Sequence, residues 1–393
     1  MVGSTADAGQ VEQRGSGAAT LSQRVDAVVD EAIETGRVVG AVVLVRDQGR
    51  AVYTRAAGFA DREAGIPTEL DTVFRWASLT KPVVAATALA LVDRGRLDLD
   101  DQVTQFLPEF RPWLADGSAP PITVRQLLTH TAGLGYPLPL TGDPYRAARV
   151  STGLDQPGLS MAENLRRIAS APLYSAPGSH WRYSVATDVL GAVSAVASGQ
   201  TLPEAVATCV TGPLNLTDSG FAVRRPDRLA VPYADDRPRA VRMGEPHRVD
   251  DLTFCPARAF DQASYPSGGA GMVGTAGDFM TFLEALRNGG GTVLARETVD
   301  LAVRNHVGTL REREAPGWGF GFLSAVLEDP KRAGSPALQG SLSWGGVWGN
   351  SWLLDPVTGL SLVALTNTAL EGCRGSFPED LKAAVYSARP RRL

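Results

Sequence analysis

A serine stands three residues ahead of a lysine in Phe74-Arg-Trp-Ala-Ser78-Leu-Thr-Lys81-Pro82. Residues three apart on a helix share a face, so the Ser78 hydroxyl and the Lys81 amine can meet. A hydroxyl with a base beside it is an activated nucleophile. Ahead of the pair, Thr72-Val-Phe74 reads as short and extended. Behind it, Val83, Val84, Ala88, Leu89, Leu91 and Val92 recur at helical spacing up to Gly95. Pro82 suits the first helical turn, where a missing N–H costs nothing. Ser78 lies near the positive end of the helix dipole, which favours developing negative charge. Alone the pattern is weak: the chain has three lysines (Lys81, Lys331, Lys382) against 35 arginines, yet chance still supplies a Ser-x-x-Lys in about one such chain in five.

Two later segments could complete the chemistry. Tyr183, in Trp181-Arg-Tyr-Ser-Val185, follows the turn Ala176-Pro-Gly-Ser179 and precedes a helix. Such a tyrosine commonly packs by its ring. Pointing from a loop into a cleft beside Lys81, its phenol could instead exchange a proton with Ser78. Ser343-Trp-Gly-Gly-Val-Trp-Gly349 lies on an expected strand, where adjacent glycines mark either a bulge in a surface hairpin or the close approach of a backbone or ligand. In the second case a substrate carbonyl could lie against the strand edge, with a backbone N–H aimed at it.

The elements that must position these residues follow from pattern. Leu21 to Glu34 reads as an amphipathic helix. Val38 to Arg46 and Ala51 to Ala57 flank Asp47-Gln-Gly-Arg50 as a hairpin. Thr123 to Thr129, Met161 to Ala169, Ala186 to Ser198, Leu202 to Val210 and Phe279 to Arg287 read as helices, and 222 to 264 as irregular. Trp318 to Leu327, Ser341 to Trp344, Ser351 to Asp355 and Leu360 to Thr366 read as strands, and Phe377 to Ala388 as a closing helix. Strands thus cluster at both ends and helices fill the middle. This predicts an α/β (α+β) fold: an antiparallel sheet from both termini flanked by helices, with a mostly helical domain inserted. The expected parts are a polar tail over 1–20, a sheet domain over 21–82 and 265–393, and an inserted domain over 83–264. Gly133 to Gly158, rich in Gly and Pro, reads as a long site-forming loop.

Composition removes other classes. A net charge of −4 gives no electrostatic reason to expect nucleic acid or an anionic membrane as partner. No 18-residue apolar run suggests a membrane span. The start of the chain has no apolar signal region, and three scattered cysteines suggest neither a disulfide framework nor a zinc site, so a cytoplasmic protein is expected. The four histidines show no metal spacing, and His130 reads as structural; no metal and no cofactor is expected. Gly-x-Ser-x-Gly is absent, which removes the α/β-hydrolase elbow. Gly-rich Ser267 to Gly274 lacks the lysine of a phosphate loop and reads as a tight turn behind the cleft.

In order, Ser78-Leu-Thr-Lys81, Tyr183-Ser-Val185 and Trp344-Gly-Gly346 resemble the three motifs of the serine β-lactamase and penicillin-binding-protein superfamily. The variants resemble the family VIII bacterial carboxylesterases, related to class C β-lactamases. Leu127-Leu-Thr-His-Thr-Ala-Gly133, Ser267-Gly-Gly-Ala-Gly-Met272 and Pro316-Gly-Trp-Gly-Phe-Gly321 support the likeness, which covers roughly residues 21 to 388. The resemblance implies a β-lactamase/DD-peptidase-like fold. It makes Ser78 the nucleophile, Lys81 and Tyr183 its proton-transfer partners, and the backbone N–H groups of Ser78 and Val347 the oxyanion hole. Trp344, Gly345, Gly346, Trp348, Val185 and Tyr136 are expected to bind substrate. Two departures bear on the substrate. β-Lactamases usually carry Asn where this chain has Val185, and Lys or His where it has Trp344. Losing an amide and a cation favours a neutral ester over an anionic lactam. The expected activity is hydrolysis of small, short-chain carboxylic esters through a Ser78 acyl-enzyme. The alternatives are acyl transfer, amidase or weak β-lactamase action on the same chemistry, or a non-catalytic ligand-binding homologue.

Overall fold

The computed structural model describes residues 19–388 except 237 and 312. The expected tail lies outside the described residues but for Ala19 and Thr20. Thr20 is tied down: its side chain accepts from the Gln23 amide and its own amide donates to the Gln23 side chain, capping helix α1 (Leu21–Glu34).

An eight-stranded sheet organises the chain. Strands β1 (Gly40–Asp47), β2 (Arg50–Asp61) and β3 (Ile66–Pro67) come from the N-terminal part. Strands β4 (Trp318–Phe320), β5 (Ala325–Leu327), β6 (Leu342–Gly346), β7 (Asn350–Asp355) and β8 (Leu360–Thr366) come from the C-terminal part. Their order is β4-β5-β6-β7-β8-β1-β2-β3, antiparallel at every pairing, with Val43 opposite Ala364 where the two halves meet. Trp318 to Leu327, expected as one strand, is two. The chain reverses at Gly321–Ser324, where Gly321 N–H donates to Ser324 O, and the absent side chain of Gly321 leaves room for the carbonyls of Ala302 and Arg304.

Alternation along the strands serves two layers. Val43, Val45, Leu353 and Leu362 face α1 and the C-terminal helix (Ser376–Ser387), packing on Val25, Val29, Phe377, Leu381 and Val385. Val42, Trp352, Val363 and Leu365 face the other way, into the larger core with Trp76, Phe279 and Phe282. That core continues into helix α2 (Thr80–Asp93), in which every residue from Thr80 to Leu91 is buried. A helix apolar all round belongs in an interior. The expected boundary between residues 82 and 83 falls inside this helix. Helix α3 (Val124–Leu128) and helix α4 (Ala186–Ser198) pack alongside it. Leu202–Val206 is α-helical, but its expected continuation widens into a π-turn over Ala207–Thr211. Short two- and three-residue strands interrupt the irregular stretch after residue 222. No helix among the described residues is long and apolar enough to cross a membrane.

Phe377 has no exposed surface and lies on the layer away from Ser78. Phe377→Ala should therefore cost about 3–5 kcal/mol of stability, read as a lowered Tm, while turnover at low temperature stays within about two-fold of wild type.

Candidate active site

Ser78 sits in a single 3₁₀ turn, Ala77–Leu79, that runs into α2. The turn is entered through Ala77 at φ +45°, a left-handed conformation that a non-glycine residue holds only when its surroundings impose it. They do so from two sides. The short strand Phe74–Arg75 pairs with Val273–Gly274, and Trp76 N–H donates to Met272 O at 2.9 Å. On the other side the Asn350 amide donates to Arg75 O at 2.8 Å and lies 3.4 Å from Trp76 O.

Three side chains meet at the turn. Tyr183 Oη donates to Ser78 Oγ at 2.7 Å, and Lys81 Nζ donates to the same oxygen at 3.2 Å. Lys81 also donates to Gly269 O at 2.7 Å and lies 4.7 Å from the centre of the Tyr183 ring. Ser78 and Lys81 are buried and Tyr183 is half-buried. Removing an ammonium from water costs several kcal/mol. Two neutral acceptors and a cation–π contact worth about 0.5–2 kcal/mol offset part of that cost.

Strand β6 brings the third segment. Beyond Ser343 it pairs with β7 alone, so the edge from Trp344 to Gly346 is open toward the site. The glycines make room for protein atoms. A Cβ on Gly346 would fall inside the Trp76 carbonyl oxygen, and one on Gly345 would come within 2.8 Å of Cys373 Sγ on the opposite face. Gly346 thus lets the strand touch the turn that carries Ser78. Trp344, half-buried, donates Nε1–H to Tyr183 Oη at 3.3 Å. With Lys81, His130, Phe320 and Leu190 it lines a small cavity next to the triad. Tyr136 packs 5.4 Å from the Tyr183 ring.

Two expected substrate contacts stand elsewhere. Val185 has no exposed surface; it precedes α4 and packs into the core, so it offers nothing to a ligand arriving from solvent. Trp348 lies past the end of β6, in the turn Val347–Gly349, where strand alternation no longer fixes direction. It is 6% exposed and packs at 4.6 Å against Phe254, in a cluster with Ala77, Leu154 and Ala270 on the side of the turn away from the Tyr183 aromatic group.

Other groups at the site carry no motif of their own. His130, held at φ +57°, bonds through Nδ1 to Ser184 Oγ at 3.1 Å and sits 5.0 Å from the Tyr183 ring. Burial, with Lys81 and Arg311 nearby, pushes it well below the usual imidazole range, so it is neutral. Arg311 lies 4.8 Å over Trp181 and 5.5 Å over Trp344, which puts a cation behind the aromatic wall. Asp188 and Asn350 are fully buried polar residues on the two elements flanking the turn. Asp188 looks from sequence like an ordinary first-turn carboxylate, and Asn350 like a strand residue, so only their contacts distinguish them.

A profile of the beta-lactamase family matches residues 25–382. The chain is 50% identical over 378 residues to Esterase EstB of Burkholderia gladioli, covering 94% of this chain and 96% of that protein. It is 29% identical to monacolin J acid methylbutanoyltransferase of Aspergillus terreus, covering 85% and 87% respectively. Among solved structures, EstCE1, described as a hydrolase with promiscuous acyltransferase activity, superposes with a TM-score of 0.91 at 43% identity. That match covers 93% of this chain and 98% of the other.

Gly346→Ala should leave a folded protein and lower kcat by about 10²–10³-fold, the loss expected when one oxyanion donor is displaced. Gly345→Ala, whose new methyl meets Cys373 Sγ at 2.8 Å and Asn350 O at 2.9 Å rather than the Trp76 carbonyl, should lose less. Acid should also weaken the fold through His130. An unfolded imidazole gains its proton near about pH 6.5 whereas this buried one does not. The stability it supports is present above that pH and is lost as pH falls below it. Urea midpoints should therefore drop from neutral to mildly acid pH, and less steeply in His130→Gln.

Proposed function

The chain belongs to the beta-lactamase family, and we propose that it is a serine carboxylesterase acting on short-chain carboxylic esters. The observation that carries this reading is the pair of hydrogen bonds on Ser78 Oγ, from Lys81 Nζ at 3.2 Å and Tyr183 Oη at 2.7 Å. Ser78 Oγ attacks the ester carbonyl while its proton passes to the Lys81–Tyr183 pair. The carbonyl oxygen, now negative, is held by the amides of Ser78 and Val347. The departing alkoxide takes a proton back from the pair as its bond to carbon breaks. The resulting acyl-Ser78 is hydrolysed by water activated by the same groups.

The substrate follows from the walls. Trp344 stands where β-lactamases usually carry Lys or His, and Leu128, Leu190, Phe322 and Leu323 continue the apolar lining around Lys81. Such a lining favours a small apolar acyl group on a neutral ester. The likeness to EstB and EstCE1 supports the ester reading. Acyl transfer is the second reading, favoured by the likeness to a methylbutanoyltransferase; there an alcohol or amine replaces the water of the last step. Free thiols at Cys209, Cys255 and Cys373 support a reducing compartment such as the cytoplasm.

Wild type should release p-nitrophenol from p-nitrophenyl acetate and butyrate. Ser78→Ala should abolish release, and Tyr183→Phe should lower kcat by about 10²–10⁴-fold. Undiminished turnover by Ser78→Ala would overturn the assignment. Adding a primary alcohol separates the two readings: new ester in the product marks transfer, and acid alone marks hydrolysis.

A further inference from the structure

Behind Lys81 lies a carboxylate that the reaction as described does not use. Asp188, in the first turn of α4, has no exposed surface. Its Oδ1 accepts from Ser267 Oγ at 2.6 Å and from Gly269 N–H at 3.3 Å. Its Oδ2 is buried with no hydrogen-bond partner. Gly269 in turn gives its carbonyl to Lys81 Nζ at 2.7 Å. A Cβ on Gly269 would sit 2.8 Å from Asp188 Oδ2 and 3.4 Å from Lys81 Nζ. The free carboxylate oxygen and the amine therefore flank one glycine that has no side chain to separate them.

Burial pushes the Asp188 carboxyl above its ordinary range, while the bonds from Ser267 and Gly269 and the nearby Lys81 and Arg258 pull it back toward the ionised form. Both bonds to Oδ1 come from donors, as an ionised carboxylate accepts them. The charged and titratable groups facing Asp188 are Lys81, Arg258, Tyr265 and Tyr136. Arg258 donates to the carbonyls of Asp155 and Tyr265. Those facing Lys81 are Ser78, Tyr183, Tyr136, Asp188 and His130, and His130 is neutral. Asp188 is thus the one buried negative charge facing the amine among the described residues.

We propose that Asp188 is a positioning residue that fixes the Ser267–Gly269 turn and keeps Lys81 an ammonium ion, which leaves Tyr183 to take the Ser78 proton. This deepens the esterase reading and rests on it. Lys81 then acts on Ser78 as a fixed cation, and Tyr183 enters the step as the phenolate, its own phenolic proton having first been released to solvent. The proton leaves Ser78 Oγ for Tyr183 Oη as the bond from Oγ to the carbonyl carbon forms. It passes on to the departing alkoxide when the C–O bond breaks, and Lys81 keeps its proton throughout.

The scarcity of lysine makes the test direct. Protein labelled at lysine Cε and Nζ carries three signals, from Lys81, Lys331 and Lys382, and Lys81→Arg assigns the first. Between about pH 6 and 8 the Lys81 signal of wild type should keep its ammonium position wherever turnover is highest; a neutral amine there overturns the proposal. Asp188→Asn keeps the shape and removes the charge. It should lower turnover of p-nitrophenyl butyrate at least about ten-fold and move the alkaline limb of the kcat/KM profile to lower pH, and Asp188→Glu should restore that limb. Loss of amplitude with an unmoved limb, or turnover equal to or above wild type, refutes the role of the charge. Should Asp188→Asn fail to fold, the wild-type lysine signal alone decides. Absence of any wild-type turnover would instead count against the esterase reading.

Discussion

The site depends on one close approach of two backbones. The end of β6 rests on the carbonyl of Trp76, and only a residue without a side chain, Gly346, permits it. These segments lie some 270 residues apart in sequence, and the sheet brings them together because strands from both termini pair in the middle of it, β1 against β8. Asn350 reinforces the contact through its bond to Arg75 O, one residue before Trp76. Ala77 can then hold its left-handed backbone, which presents Ser78 at the mouth of α2. A strained backbone persists where neighbours over-determine it. Here the determinants are a strand, a buried amide and a two-residue ladder to Val273–Gly274.

Around that frame the polar groups form one connected set. Ser78 accepts from Tyr183 and Lys81, Tyr183 accepts from Trp344, and Lys81 donates to Gly269, whose amide in turn donates to Asp188. Each member is fixed by packing as much as by bonding. Trp181, Phe320, His130 and Trp344 enclose the Tyr183 ring, and α2 is buried along nearly its whole length. Such a set needs no large movement before reaction, because the donors are already aimed. Within it the Lys81 amine is held by two oxygens and lies over the rings of Tyr183 and Tyr136.

Much of this was readable from the chain. The serine–lysine spacing on a helix, the apolar strand runs of β1 and β8, the short helix from Thr123 and the clustering of strands at both ends are sequence patterns that survive into the fold. The misreadings arise where a long-range contact decides. Trp348 follows Trp344 by four residues, but the turn at Val347–Gly349 sends its ring to Phe254 on another face. Val185 neighbours the Tyr183 loop yet packs into the core. Trp318 to Leu327 carries a continuous strand signal that only the carbonyls near Gly321 interrupt. Asp188 is an unremarkable helix-start residue until the Ser267–Gly269 turn is set against it. The glycine pair of β6 was legible as close approach, but sequence could not say that the neighbours were Trp76 and Cys373 rather than a ligand.

The central claim is that Ser78 carries the acyl group between two half-reactions. Rapid acid quench after mixing the protein with excess p-nitrophenyl butyrate, followed by intact-mass and peptide analysis, tests it most directly. The account predicts a mass increase equal to one butyryl group, located on the peptide containing Ser78 and absent in Ser78→Ala. An adduct on another residue, or steady turnover with no covalent species at any quench time even when deacylation is slowed, would contradict it.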